Sequence, residues 1–293
     1  MKISVVTATY NRANLLPKLF NSLCKNYKTY KDFEWVIIDD GSKDNTKEIV
    51  KKWKNEVDFD IKYHYQENAG KMNAINGVMR YVSGDIIIEI DSDDYLTDGA
   101  LKMVNDDYEK LDNDNVYGII YKRDIVNKDT SIKNDLDGKV IKLFDFYNVL
   151  GYDFDLALTF KASERKKYIY QLEHNEKFIT ESRTYYRMDQ FYDGMLFRDK
   201  YIIKCEYMED GYSKNINKTF KKYPYGYYQY FKECLSYCKK VLFKKRIYFV
   251  KHYILFSYLI GLKKMEAIKG VNGLNKLLVM LLIIPGYMKS KRF

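Results

Sequence analysis

Short apolar runs alternate with helical stripes through the first hundred residues. Residues 3–7 predict a strand, and the polar stretch 8–12 ends it. Leu15, Leu16, Leu19, Phe20 and Leu23 then recur at helical spacing. Residues 35–38 predict a second strand, stopped by Asp39-Asp40-Gly41-Ser42. Ile49, Val50 and Trp53 mark the core face of the next helix, which Asp44 or Thr46 would cap. Ile61, Tyr63 and Tyr65 alternate as a third strand. Met72, Ile75, Met79 and Val82 give a further helical stripe, and residues 86–90 a buried strand. Strands separated by helices imply parallel pairing, so the pattern predicts an α/β fold with a doubly wound, mostly parallel sheet.

Beyond residue 100 the pattern is less regular. Leu101, Val104, Tyr108 and Leu111 predict a helix and residues 116–121 a strand. Residues 127–138 are polar and turn-rich, as in a hairpin or exposed loop. Short helices and strands mix over residues 140–207. From residue 214 the character changes. Lys244, Lys245, Arg246 and Lys251 intersperse with Val241, Leu242, Phe243, Ile247, Phe249 and Ile254, a basic amphipathic pattern. Residues 277–284 are all apolar, and Pro285-Gly286 predicts the end of that helix. A spanning helix needs about 20 apolar residues. Neither segment qualifies, and lying in a membrane interface suits both better. The plain alternative is a helical subdomain with a solvated basic side.

Charge sharpens that division. The chain of 293 residues carries a net +10. Residues 214–293 hold 18 Lys/Arg against two acids, Glu233 and Glu266, or +16; residues 1–213 hold 32 basic and 38 acidic residues, or −6. An acidic body of 1–213 with a basic helical appendage of 214–293 suggests a tail that meets an anionic surface. The expected partner is membrane lipid and not nucleic acid, for which the apolar run has no use. The start of the chain enters a strand directly, so no secretory signal is expected. Four scattered cysteines follow no disulfide or zinc spacing and read as ordinary thiols of a reducing compartment. Cytoplasmic placement, peripheral on the inner face of the plasma membrane, is the expectation. His64, His174 and His252 read as structural.

The candidate chemistry lies where the strands end. Asp91, Asp93 and Asp94 crowd three carboxylates into four residues after an apolar strand. Crowded negative charge is costly without a cation, and hard oxygen ligands suit Mn2+ or Mg2+. A solvated acidic turn is the plain alternative for Asp-Ser-Asp alone. Three more loops converge on the same sheet edge in such a fold, at residues 7–12, 39–42 and 67–71. They bring Thr9, Tyr10 and Arg12, the carboxylates Asp39 and Asp40, and the pair Gly70-Lys71. Gly70 permits close backbone approach and Lys71 offers a cation for phosphate.

In order, residues 3–12, 35–44, 68–77 with Gly84-Asp85, and Asp91-Ser92-Asp93-Asp94 resemble the motifs of the family-2 inverting glycosyltransferases with the GT-A fold. The resemblance covers residues 3 to about 100. It implies a Rossmann-like nucleotide-sugar half (1–100), an acceptor half (101–213), and a nucleotide-sugar donor held by Thr9, Tyr10, Arg12, Asp39, Asp40, Lys71, Asp91 and Ser92. Asp40 would read the nucleobase with Tyr10 stacked on it, and Asp93 with Asp91 would bind the metal. Residues 178–187 keep the spacing of the family's base and arginine if Glu181 stands at the base position, although Thr180 replaces the acid before it. Glu181 is then the catalytic base, with Asp189 and Asp193 as weaker candidates. A first-turn charge complementing the helix dipole is the plain reading of Glu181. Residues 207–213 resemble a variant found in capsule-type members, in place of the family's histidine. The Gln-x-x-Arg-Trp motif and spanning helices of processive synthases are missing. A non-processive transferase acting on a saccharide or lipid-linked saccharide in cell-surface polysaccharide synthesis is the expectation. A nucleotidyltransferase is a rival, although residues 7–12 hold no glycine for its phosphate loop. A non-catalytic nucleotide-binding, membrane-associated protein is another.

Overall fold

Alternation of strand and helix governs the first half of the chain, whose computed structural model describes residues 1–132, 135–206 and 216–290. In order come β1 (Ile3–Thr9), α1 (Leu16–Tyr27), β2 (Phe33–Asp39), α2 (Thr46–Lys54), β3 (Asp60–Tyr65) and α3 (Lys71–Val78). β4 (Ile86–Glu89), β5 (Tyr95–Leu96), α4 (Ala100–Glu109), β6 (Val116–Ile125), β7 (Val140–Ile141) and α5 (Leu143–Asn148) follow. Then come β8 (Leu156–Lys161), α6 (Ala162–Arg165), α7 (Glu181–Met188) and β9 (Gly194–Cys205). The chain closes with α8 (Ile216–Lys222), α9 (Pro224–Tyr237), α10 (Phe243–Leu259), α11 (Lys264–Lys269) and α12 (Gly273–Ser290).

Two compact units divide these elements. The first holds Met1–Lys142, Asp153–Tyr170 and the chain from Met188 through β9; the second holds Leu143–Tyr152, Gln171–Arg187 and the helices from α8 onward. Residues 207–213, with the variant segment expected there, lie outside the described residues.

The first unit contains one sheet in the order β3-β2-β1-β4-β8-β6-β9-β5, with β7 paired to β9. β3, β2, β1 and β4 are parallel, as the strand–helix alternation predicts. Beyond β4 the sheet is mixed: β8 is antiparallel to both β4 and β6, and β9 is parallel to β6. The mostly parallel sheet is therefore corrected to a parallel half and a mixed half. In this half strand no longer alternates regularly with helix: β7 and α5 stand between β6 and β8, and α6 and α7 between β8 and β9. Every residue of β2 is buried, and only Ala8 of β1 is partly open. Strands covered on both faces read as continuous apolar runs. On one face Phe20 of α1 stacks on Trp53 of α2 with ring centroids 4.4 Å apart, over the fully buried Trp35.

Some boundaries shift from the apolar pattern. β4 ends at Glu89, α3 gives way to a 3-10 turn at Met79–Tyr81, and β6 continues to Ile125.

In the second unit α10 packs on α9 and α12, with α8 against α9 and α11 against α12. Phe231 stacks on Phe256 at 5.5 Å in its interior. The helix expected to stop at Pro285-Gly286 instead runs on to Ser290 with Pro285 inside it. Tertiary contact explains this. A Cβ at Gly286 would lie 2.6 Å from Ile254 Cγ2, so glycine lets α12 seat closely on α10 where the local signal reads as a terminator. Among the described residues no helix is long and apolar enough to cross a membrane.

Candidate active site

The four loops at the C-terminal edge of β3, β2, β1 and β4 are tied into a closed ring. After β1, Asn11 adopts φ 51°, its N–H donates to Ser42 Oγ (2.8 Å), and its Oδ1 accepts from Lys43 N–H (2.8 Å). Asp44 joins the same two loops, accepting from Ala13 N–H (3.0 Å) and from Thr46 Oγ1 (2.6 Å). Asp44, not Thr46, thus serves the start of α2, its Oδ1 also accepting from Thr46 N–H at 3.1 Å.

The second tie runs from β2 to the loop before α3. Asp40 is 3% exposed, and its carboxylate accepts from Gln66 Nε2 (2.7 Å), Ala69 N–H (2.8 Å), Gly70 N–H (2.8 Å) and Asn68 Nδ2 (3.1 Å). Four donors fill the acceptor capacity of a carboxylate. Gly70 sits at φ 93°, a backbone conformation that favours glycine, and starts α3 directly. Beside it Asp39, 1% exposed, accepts from Ser42 N–H (2.7 Å) and Tyr63 Oη (2.5 Å), and burial with this bond raises the Tyr63 hydroxyl pKa.

The third and fourth ties meet at the acidic turn. α3 packs against β2 and β1 on its way from β3 to β4, so its first residue reaches across the sheet edge. Lys71 Nζ lies 2.6 Å from Asp91 Oδ1, and Arg12 Nη1 lies 4.0 Å from Asp93 Oδ2. The two carboxyls are pushed apart. Burial opposes ionisation of Asp91, yet Lys71, Arg123 and Arg12 hold it below the usual range. Burial and the Asp91 charge push Asp93 up. Asp94, 2% exposed, is raised by burial and by Asp91, against the pull of Arg123 at 2.6 Å. Arg123, on β6, also donates Nε–H to Leu156 O (3.0 Å), which anchors the turn to the mixed half of the sheet.

Thr9, Tyr10, Arg12, Asp39, Asp40, Lys71, Asp91, Ser92 and Asp93 therefore all belong to the first unit. Tyr10 is 46% exposed beyond the end of β1, whereas Ser92 is buried; Thr9 is buried too, and among the described residues its Oγ1 has no hydrogen-bond partner. Glu181 belongs to the second unit and opens α7. Arg183 and Arg187 of that helix pair with Glu233 at 2.8 and 3.5 Å. At 100° per residue Glu181 lies about 200° around the helix from Arg183, away from the Glu233 face. Asp189 is fully buried and accepts from Tyr117 Oη (2.9 Å), while Asp193 donates its N–H to Asn115 O. His64 stacks on Tyr81 (3.4 Å), His174 on Tyr225 (3.7 Å), and His252 contacts Tyr248 O.

Sequence reasoning missed Gln66, Asn68 and Arg123. Gln66 and Asn68 sit in the loop that carries Gly70, and their amides gave no signal beyond polarity. Arg123 lay in a strand expected to end at 121.

The acidic turn suits a divalent cation by its donor chemistry. Asp91 and Asp93 offer hard oxygens on one turn, and magnesium-like ions take their remaining ligands from phosphate and water. Among the described residues no three His, Cys, Asp or Glu side chains form a ready-made cage. Two protein carboxylates plus substrate oxygens is the set that fits.

Comparison with known proteins agrees with this geometry. The model of the family "Glycosyl transferase family 2" matches residues 4–194. An uncharacterized glycosyltransferase of Mycoplasma pneumoniae is 42% identical over 116 residues, 39% of each chain. The GalNAc(5)-diNAcBac-PP-undecaprenol beta-1,3-glucosyltransferase of Campylobacter jejuni is 26% identical over 76% of this chain and 72% of its own. The first curated relatives are matched over two fifths of their length or less. Among solved structures, S. aureus TarS 1-349 in complex with UDP-GlcNAc superposes with a TM-score of 0.66 at 18% identity, covering 100% of this chain and 91% of that one. The mannosyltransferase PcManGT of Pyrobaculum calidifontis, in complex with GDP-Man and Mn2+, gives 0.58 at 15% identity, covering 99% and 83%. These likenesses establish a GT-A-type fold, and the family match sets the nucleotidyltransferase reading aside. A ring of strand-end loops around paired carboxylates, on a chain that this family's model matches over most of its length, places the protein in glycosyl transferase family 2.

Proposed function

We propose that the chain transfers one sugar at a time, with inversion, from a nucleoside diphosphate donor, uridine diphosphate for preference, to a saccharide or lipid-linked saccharide. The observation that carries this reading is the closed ring of strand-end loops, which presents Arg12, Lys71, Asp91 and Asp93 together on one sheet edge. Tyr10, exposed at the rim, offers a face on which a base can stack. Asp39 lies opposite Thr9 at the end of the neighbouring strand, with Asp40 next to it. A base N–H reaches Asp40 by replacing the Gln66 or Asn68 amide, while the two backbone donors keep the carboxylate oriented. Lys71 and Arg12 supply the cations for the diphosphate.

A divalent cation held by Asp91 and Asp93, manganese or magnesium, supplies electrostatic stabilisation of the leaving diphosphate. Glu181 is the proposed base. It takes the proton of the acceptor hydroxyl as that oxygen attacks the anomeric carbon, while the bond to the diphosphate breaks on the opposite side. A single displacement inverts the centre.

The TarS complex with UDP-GlcNAc supports a uridine donor, and the PcManGT complex supports divalent metal use. The Campylobacter relative, matched over three quarters of this chain, is named for an undecaprenol-linked saccharide and supports the lipid-linked acceptor; a role in cell-surface polysaccharide synthesis is part of the same proposal. The test is incubation with a panel of nucleotide sugars and Mn2+, following diphosphate release and the anomeric configuration of the product. Turnover confined to a non-nucleotide donor, or a retained configuration, would overturn the reading.

A further inference from the structure

α12 has two unlike faces. Leu278, Val279 and Ile283 are buried within the second unit, at 7%, 0% and 3% exposure. Leu274, Leu277, Leu281, Ile284 and Met288 stand 49–67% exposed, at successive spacings of three, four, three and four residues. That is a continuous apolar stripe along one side of a helix of 18 residues. Isolated exposed leucines need no explanation, but an unbroken stripe does.

The charge around the stripe selects what covers it. α12 contains no acidic residue, and Lys263, Lys264, Lys269 and Lys276 on α11, on α12 and before them are exposed. Residues 214–293 hold only two acids, of which Glu233 is paired internally and Glu266 is exposed. Glu233 is held by Arg183 and Arg187, and Glu266 accepts from Lys263 N–H at 2.7 Å as the cap of α11. Four exposed lysines against one exposed acid leave α11 and α12, which pack together, with a net positive surface. A second copy is a poor occupant, because a helix pair needs opposite charges flanking its seam and each copy brings mostly lysines. An anionic lipid surface matches both features at once.

We propose that the α12 stripe docks on anionic phospholipid, the helix lying in the interface plane with Leu274, Leu277, Leu281, Ile284 and Met288 among the acyl chains. Lysines of α11 and α12 meet the headgroups, as in basic amphipathic interfacial helices. This docking is independent of the catalytic reading, since no donor or acceptor enters it.

The test is co-sedimentation of the full chain with vesicles of phosphatidylcholine alone or mixed with phosphatidylglycerol. Binding should require the anionic lipid and weaken with salt. Leu281→Glu, at an exposed position, should lower partitioning at least about tenfold while circular dichroism, thermal midpoint and nucleotide affinity stay at wild-type values. Lys263→Glu with Lys264→Glu should lower it as well. Absence of binding at low salt, equal binding to neutral vesicles, or undiminished binding of Leu281→Glu each overturns the proposal. So does a dimer in light scattering that Leu281→Glu dissociates without any vesicle binding, which would assign the stripe to a second copy.

Discussion

Lys71 Nζ sits 2.6 Å from Asp91 Oδ1, placing the first side chain of α3 against the acidic turn after β4. The two residues follow strands that are not neighbours, for β2 and β1 lie between β3 and β4. One cation therefore already answers part of the negative charge that a divalent ion and a diphosphate would share. Removing it should separate two effects. Lys71→Met is expected to raise Mn2+ affinity a few-fold in the absence of nucleotide, the scale of a partly exposed ion pair, while weakening uridine diphosphate. Calorimetric titration of each ligand alone checks this, and unchanged values for both would make the pair inconsequential.

Burial and the Asp91 charge push Asp93 upward, so a divalent partner would relieve it. Asp93→Asn keeps the size and removes the charge. Mn2+-dependent binding of uridine diphosphate should fall about 10–100-fold, at least the loss seen when outer partners of metal sites are changed. Metal-independent binding should hardly move. Titrations that coincide with wild type, with and without Mn2+, would remove Asp93 from the ligand set.

Glu181 opens a helix whose two arginines are committed to Glu233. If Glu181 is the base, Glu181→Gln should cut turnover by roughly 10²–10⁴ and leave donor affinity near wild type. Lost stability with intact turnover per folded molecule would make it a helix-start charge only. Rate measurements beside thermal melts distinguish these outcomes. Asp193 would be tested next, because Asp189 is buried under Tyr117.

Far from the loops, at the opposite end of the parallel strands, Glu34 is expected to contribute to stability against acid. Its carboxylate is fully buried, accepting from Ser4 Oγ (2.6 Å), Ser83 N–H (2.8 Å) and Ser83 Oγ (2.6 Å), with Lys62 Nζ at 2.7 Å. Burial alone would raise its pKa, but Lys62 and the serine hydrogen bonds bring it down to about 2. A lowered folded-state value means the stabilisation is full above the unfolded value near 4.5 and is lost as pH falls from there through about 2. At neutral pH it is on the order of 3 kcal/mol. Urea denaturation of Glu34→Gln should show lower stability near pH 7 and a flatter decline below about pH 4.5. A variant whose acid limb parallels wild type would transfer the effect to other carboxylates.

Local pattern was enough to place the parallel half of the first unit. Runs such as residues 3–7 and 35–38 are apolar because both faces of their strands are covered, and that signature survives without any knowledge of neighbours. The four polar strand ends were legible for the same reason, since side chains that cannot enter the core collect where strands stop. The order of β8, β6 and β9 was not legible, because antiparallel and parallel partners place the same demand on side-chain alternation. Glu34 was invisible inside an apolar strand, as its partners Ser4, Lys62 and Ser83 come from three other segments. Asp40 was read as a group for a ligand, and the folded chain reveals it also fastening residues 66–70, a bond set that exists only once β2 and the α3 loop adjoin. Pro285-Gly286 carries a stop signal in any local reading, yet α12 continues through it because Gly286 meets Ile254. Composition alone marked the basic tail. Which of its leucines turn inward and which stay bare was decided only when α12 packed on α10, for a helix hydrophobic nearly all round has no face until a neighbour chooses one.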